Sequence, residues 1–462
     1  MDLTKIIKYA EAGGAEQAEV FFFEGRVLRT IIENKQVKIC EHKVDAGLGL
    51  RVALKRNTGY CLGFSYSTEL SNAAIEQTVK QAVKVALSKK PDLDFKSFQP
   101  RRSPATVSGL HDSAILALSP ENMTTLGQRL VEASTSDKRI KTVRGAVGCS
   151  IGKTIIENSL GVSGEYDTTS FWVGVSVVAE EASSVGVGWD EYSSRFFNDR
   201  VIEEIALNAK EFSISQLHPK PIKGGIMDLI VAPSREGLPD LLLYAFIQGL
   251  RADNVQKQQS PLVGKLNQQI GSQELTIFDD PHIPRALGSK PFDDEGCPTG
   301  KKVIIEKGVL TSFLHNTYTA NRIGIPSTGN AVRIAPFSAK PKYALEPLIG
   351  PTNTVIKPGT VSQEKLINEV KDGIITRGFI GAHTANSQSG DFSVLMSGAF
   401  KIEKGEIKHP VKEAMIGGNI LDLFKKIDLL ADDVKQMPYA WYGEDATLIA
   451  PSILVRGVMV AG

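Results

Sequence analysis

Apolar positions at the start of the chain recur at helical spacing: Leu3, Ile6, Ile7 and Ala10 share one face, and Gly13-Gly14 closes the run. Alternating, β-branched or aromatic stretches follow at 18–23, 27–33 and 37–41, with Glu24-Gly25 and Asn34-Lys35 read as turns. Stretches 47–54 and 59–66 predict a hairpin about Arg56-Asn57. Ile75, Val79, Ala82, Val83 and Ala86 then stripe a helix over 69–88, with Ser71 as its cap. A proline-punctuated connector, 91–104, precedes a second helix over 120–135. A long β-meander over 140–192 comes next, with turns expected at Leu160-Gly161 and Glu180-Glu181. A helix over 200–217 ends at His218-Pro219-Lys220-Pro221, where the prolines cannot continue it. These two hairpin-then-helix runs hint at an internal duplication.

Beyond the prolines the pattern changes. A buried strand over 227–232 and a helix over 236–250 open the second half, and hairpins dominate afterwards. Stretches 301–306 and 309–315 pair across Lys307-Gly308, and 397–402 pairs with 407–409 across Lys404-Gly405. One more helix over 417–427 and an apolar strand over 453–460 close the chain. The expected class is α+β in two domains. Residues 1–218 form an N-terminal unit of antiparallel strands and helices, and residues 219–462 a mostly antiparallel β unit.

Length supports this division, because 462 residues exceed what one simple core organises. Composition is that of a globular protein, 42% hydrophobic and 23% charged. Lys+Arg 53 against Asp+Glu 52 gives a formal net charge of +1, so bulk charge offers no support for nucleic-acid binding. No stretch has the length of a signal peptide or a membrane span, so a cytoplasmic location is expected. Cys40, Cys61, Cys149 and Cys297 are widely spaced and read as buried thiols rather than a disulfide frame.

Five strings in the second half and one in the first carry a resemblance. Asp293-Asp294-Glu295-Gly296-Cys297-Pro298-Thr299 is followed by Ile323-Gly324-Ile325-Pro326-Ser327-Thr328-Gly329-Asn330-Ala331. Ser389-Gly390-Asp391-Phe392-Ser393, Gly405-Glu406-Ile407-Lys408-His409-Pro410-Val411 and Gly418-Asn419-Ile420-Leu421 come next. Gly47-Leu48-Gly49-Leu50-Arg51-Val52 is the weaker N-terminal counterpart. Taken singly, each is ordinary turn chemistry. In this order, they resemble the TldD/PmbA metallopeptidase family over most of the chain.

That resemblance implies an HExxxH sequence on the helix after the first strand of the C-terminal domain. There two imidazoles would hold zinc and the carboxylate would take a proton from the bound water. Anchored on Gly249-Leu250-Arg251-Ala252-Asp253, the family frame instead puts Leu243, Tyr244 and Gln248 at those positions. It puts Tyr442 near the third ligand, a cysteine. No His or Cys occurs between Pro219 and Pro281, and no Cys follows Cys297, so no slip of alignment restores the site. Leucine has no ligand atom, a phenol is a poor base at neutral pH, and an amide is not a usual zinc ligand.

Other chemistries find little footing. The seven histidines show no metal-ligand spacing, and Cys40-Glu41-His42 is an incidental cluster on a strand. There is no GxSxG elbow, and neither Gly47-Leu48-Gly49 nor Gly186-Val187-Gly188 leads into a dinucleotide-binding helix. The resemblance therefore implies a non-catalytic, TldE-like subunit, inactive alone and with no cofactor of its own. Its expected partners are a zinc-bearing TldD-like chain and unfolded or short peptides, with neither nucleic acid nor membrane. Asp293, Asp294, Glu295, Gly296, Asn330, Gly390 and Asp391 are the motif positions expected to line a cleft or interface. Two other classes stay open: a self-associating peptide-binding protein without an enzymatic partner, and a hydrolase with an unrecognised site.

Overall fold

A computed structural model describes residues 2–335, 338, 340–440 and 442–462. The chain opens with helix α1 (Leu3–Ala12), whose buried residues are the Leu3, Ile6, Ile7 and Ala10 of its apolar stripe. Three long antiparallel strands follow, β1 (Gln17–Glu33), β2 (Gln36–Arg56) and β3 (Gly59–Ser67), and then α2 (Asn72–Ser88), capped by the Ser71 hydroxyl. The second run repeats this plan. A short helix, α3 (Ser113–Leu116), and α4 (Pro120–Ser134) lead into β4 (Ile140–Asn158), β5 (Ser163–Glu181), β6 (Ser184–Ser194) and α5 (Val201–Ser215).

The six strands form one sheet in the order β3-β2-β1-β4-β5-β6, so the two meanders meet at the β1–β4 pair and mirror each other about it. Strand alternation sorts the side chains. Val20 and Phe22 point to the face covered by α1 and α2, and Val147, Phe171 and Val173 to the face covered by α4 and α5. Phe21 and Ile156 point the opposite way, where they pack on Phe292 and Tyr343 of the second half. This second face is the junction with the second half of the chain.

Two expectations are corrected here. Glu24-Gly25 is not a turn: Gly25 sits mid-strand, opposite Asp45 on one side and Gly152 on the other. The ladder on both neighbours outweighs a local glycine signal. Asn34-Lys35 is a turn, with φ of 50° and 65°. The β5–β6 connection falls beyond Glu180-Glu181, at Ala182, whose φ is 54°.

All remaining sheets are built from residues after 224. At the centre of the largest, β7 (Gly225–Val231) lies between Ile453–Ala461, antiparallel to it, and Asp372–Thr376, parallel to it. A second parallel pair joins Asn353–Ile356 to Thr447–Ala450, within an otherwise antiparallel α+β fold. Leu229 and Val231 of β7 pack under the helix that follows. That helix begins as α6 (Leu238–Leu242), continues as a π turn over Leu243–Ile247, and returns to α geometry at Gln248–Leu250. No helix among the described residues is long and apolar enough to cross a membrane. The four cysteines are free thiols, three of them buried and Cys40 half-buried.

Candidate functional site

The π turn has a geometric consequence. Residues five apart on a straight α-helix point about 140° away from each other, at 100° per residue. An i→i+5 turn brings them onto one face. Positions 243 and 248 are five apart, and the π turn spans the interval between them. The π turn therefore turns positions 243 and 248 toward one side of the helix.

The side chains do something else. Leu243 is buried in the large C-terminal core with Leu241, Leu242 and Phe246. Tyr244 is partly buried against the same cluster. Gln248 accepts a hydrogen bond from Arg251 Nη1 at 3.2 Å through Oε1. Arg251 is in turn held by the Asp253 carboxylate at 2.9 Å. Tyr442 is buried, and its phenol faces the Gln248 amide closely enough to be influenced by it, though outside hydrogen-bond geometry. Burial pushes that phenol up to about 12. Gln248 and Tyr442, placed together by the family frame, are thus together in space.

This set does not fit zinc. Leu243 offers no lone pair, Tyr442 is held protonated, and the Gln248 oxygen already serves a guanidinium. A fixed cation at Arg251, bonded to one would-be ligand, repels a divalent ion. Among the described residues, no three His, Cys, Asp or Glu side chains gather in a metal-holding arrangement.

The remaining motif positions divide into two groups. Asp293, Asp294, Glu295 and Asn330 are buried where the two halves meet. Asp293 accepts the backbone N–H groups of Glu295, Cys297 and Ala331 at 3.0, 3.0 and 2.9 Å. Asp294 accepts that of Arg333 at 2.6 Å. Gly296 holds the turn at φ 75°, and a Cβ there would meet Val162 at 2.4 Å. Glu295 accepts from Arg51 Nη2 at 3.1 Å and from the Thr317 N–H at 2.8 Å. Arg51 grips Glu19 with two bonds, at 2.9 and 2.7 Å, and Arg333 reaches the same Glu19 at 2.9 Å. Asn330 donates to Asp279 Oδ2 and to the Gly350 carbonyl, both at 3.0 Å.

The second group lies beside the π turn. Gly390, at φ 82°, accepts the Ile420 N–H through its carbonyl at 2.9 Å. A Cβ on it would come to 3.6 Å of the Ala245 carbonyl. Asn419 donates to Asp391 Oδ1 and to the Ser389 carbonyl, both at 2.8 Å, tying the SGDFS and GNIL strings together. Ser389 and Asn419 hold the exposed Asp391 carboxyl below the usual range.

Arg251, which bonds both Gln248 and Asp253, is not among the site residues that the sequence singles out. It lies inside the Gly249–Asp253 anchor, which signalled alignment rather than a role.

Comparison with known proteins gives a consistent result along the chain. Residues 226–462 match the PmbA/TldA metallopeptidase C-terminal domain, residues 114–217 the central domain and residues 18–86 domain 1. An uncharacterized protein of Methanocaldococcus jannaschii is 30% identical over 100% of both chains. Metalloprotease PmbA of Escherichia coli O157:H7 is 27% identical, over 92% of this chain and 89% of that one. The crystal structure of TldE from Thermococcus kodakarensis superposes with a TM-score of 0.90 at 25% identity, covering 100% of each chain.

Proposed function

This chain belongs to the PmbA/TldD metallopeptidase family, and from that membership we infer that it is a non-catalytic, TldE-like subunit pairing with a zinc-bearing TldD-like chain. The observation that carries the reading is the Arg251–Gln248 bond, which ties the side chain at a would-be ligand position to a fixed cation. Zinc and the water it activates belong to the partner. This chain supplies fold and surface: the complex takes unfolded or short peptides as extended strands, held by backbone hydrogen bonds along sheet edges. The setting is the cytoplasm.

The test mixes the purified chain with a TldD-like subunit carrying HExxxH. Sedimentation at micromolar concentration should show one complex, burying more than roughly 1,000 Å². Zinc and peptide cleavage should follow the partner, and the isolated chain should have neither. Independent migration of the two proteins would defeat the pairing. About one tightly held zinc per isolated chain after dialysis would defeat the non-catalytic assignment.

A further inference from the structure

The junction face of the N-terminal sheet carries two cavities, of about 380 Å³ and about 330 Å³. Both are bounded by Leu287, Gly443 and Glu444, so one short loop of the second half stands between them. Their floors follow the same two strands, the first along 150–154 and 166–168, the second at 146 and 170–174. From 146 to 154 on β4 the path is ~26 Å at about 3.3 Å per residue. That is the length of about eight residues of extended peptide.

The loop is held by two adjacent carboxylates, and Glu444 is the one that binds the sheet. Ser150 Oγ lies 2.7 and 2.9 Å from the two Glu444 oxygens. Its ladder partner Ser170 also donates to Glu444. Arg195, its side chain 5% exposed, faces Glu444 at 3.7 Å, its one ion pair among the described residues. All three groups belong to the N-terminal sheet region, whereas Glu444 comes from the other half. The next residue, Asp445, is paired with Lys342.

Glu444 is not sealed in. Its side chain is 34% exposed, and it follows Gly443, whose φ is 54° and beside which a Cβ would meet nothing within 4 Å. When this carboxylate leaves, a buried guanidinium loses its counter-ion, which is costly unless another anion replaces it.

We propose that Ser150, Ser170 and Arg195 form a carboxylate-binding cradle for peptide, filled by the chain's own Glu444 until a peptide carboxylate displaces it. Withdrawal of the 443–444 loop joins the two cavities into one groove along β4 and β5. The peptide identity of the ligand rests on the function proposed above; the cradle itself rests on these contacts.

The test uses the isolated full chain, so its outcome is independent of heterodimer formation. Three soluble eight-residue peptides of Gly, Ser and Ala are compared by calorimetry: a free acid, its C-terminal amide, and an amide with one internal glutamate. Glu444→Ala should bind the free acid at least tenfold more tightly than the wild type, with no gain for the plain amide. Adding Ser170→Ala should abolish that gain. A gain for the glutamate-bearing amide alone would assign the cradle to acidic side chains, and one for the free acid alone to C-termini. Should Glu444→Ala fail to fold, Glu444→Gln keeps the size and an accepting oxygen and should still gain a few fold. Folded variants that bind no tighter than the wild type, or that gain equally for acid and plain amide, overturn the proposal.

Discussion

At the junction, Asp293 accepts three backbone N–H groups, and Glu19 bridges Arg51 and Arg333. At the π turn, Leu243 is ordinary core and the Tyr442 hydroxyl has no hydrogen-bond partner among the described residues. Both regions bear family positions, yet their polar groups have different work. The junction strings are held by burial and by charge satisfaction between the two halves. The helix keeps its backbone shape and its packing without the ligands.

The comparison predicts a graded response to substitution. Glu19→Ala removes the carboxylate of a fully buried pair and strands Arg333, whose other side-chain hydrogen bonds among the described residues go to backbone carbonyls. Breaking one side of such a pair costs about 4 kcal/mol, read as a lowered urea midpoint. A change below about 1 kcal/mol would deny the junction its role. Leu243→Ala tests the helix as packing, and a cavity at this site should cost about 3 kcal/mol without altering metal content. Zinc loss from a complex that remains assembled would contradict the assignment of Leu243 to the core.

Smaller effects sharpen the contrast. Tyr442→Phe deletes a hydroxyl that has no hydrogen-bond partner among the described residues, so stability should hold or rise by up to about 1 kcal/mol. A loss larger than that would reveal a bond the account omits. His315 lies near the Asn330 string, buried, with no partner for its Nδ1 among the described residues, and burial lowers its pKa below the usual 6.5. The native state therefore prefers the neutral ring. The stability this preserves is present above 6.5 and is lost as pH falls through the lower folded value. His315→Gln should flatten that part of the stability profile, and an unchanged profile would remove His315 from it.

Much of this architecture was legible in the sequence because local and global signals agreed. The α1 stripe, the Ser71 cap and the Asn34-Lys35 turn each needed only near neighbours. Gly25 was misread because its conformation is decided by strands 20 and 127 residues away, opposite Asp45 and Gly152. The π turn left no mark in the apolar spacing of 238–250, which reads as plain helix. Its one signal was the five-residue interval of the family's ligand pair, which a straight α-helix cannot serve. The pairing of Gln248 with Tyr442 was foreseeable through the family frame alone, since 194 residues separate them. The junction carboxylates were legible as a string, but the burial of Glu295 against Arg51 depended on a contact between distant halves of the chain.

The central claim is that this chain shapes the complex and leaves the chemistry to its partner. Its most direct test is the peptidase rate of complexes assembled from a wild-type TldD-like subunit and either Tyr244→Phe or Gln248→Ala of this chain. Complex formation and bound zinc are measured on the same samples. The account predicts turnover within about twofold of wild type, since neither change removes a metal ligand or a base, and a lost side-chain hydrogen bond costs about 1 kcal/mol of stability without touching the reaction barrier. A large fall in turnover for Tyr244→Phe, with the complex intact and zinc in place, would show this chain acting in the reaction and contradict the account.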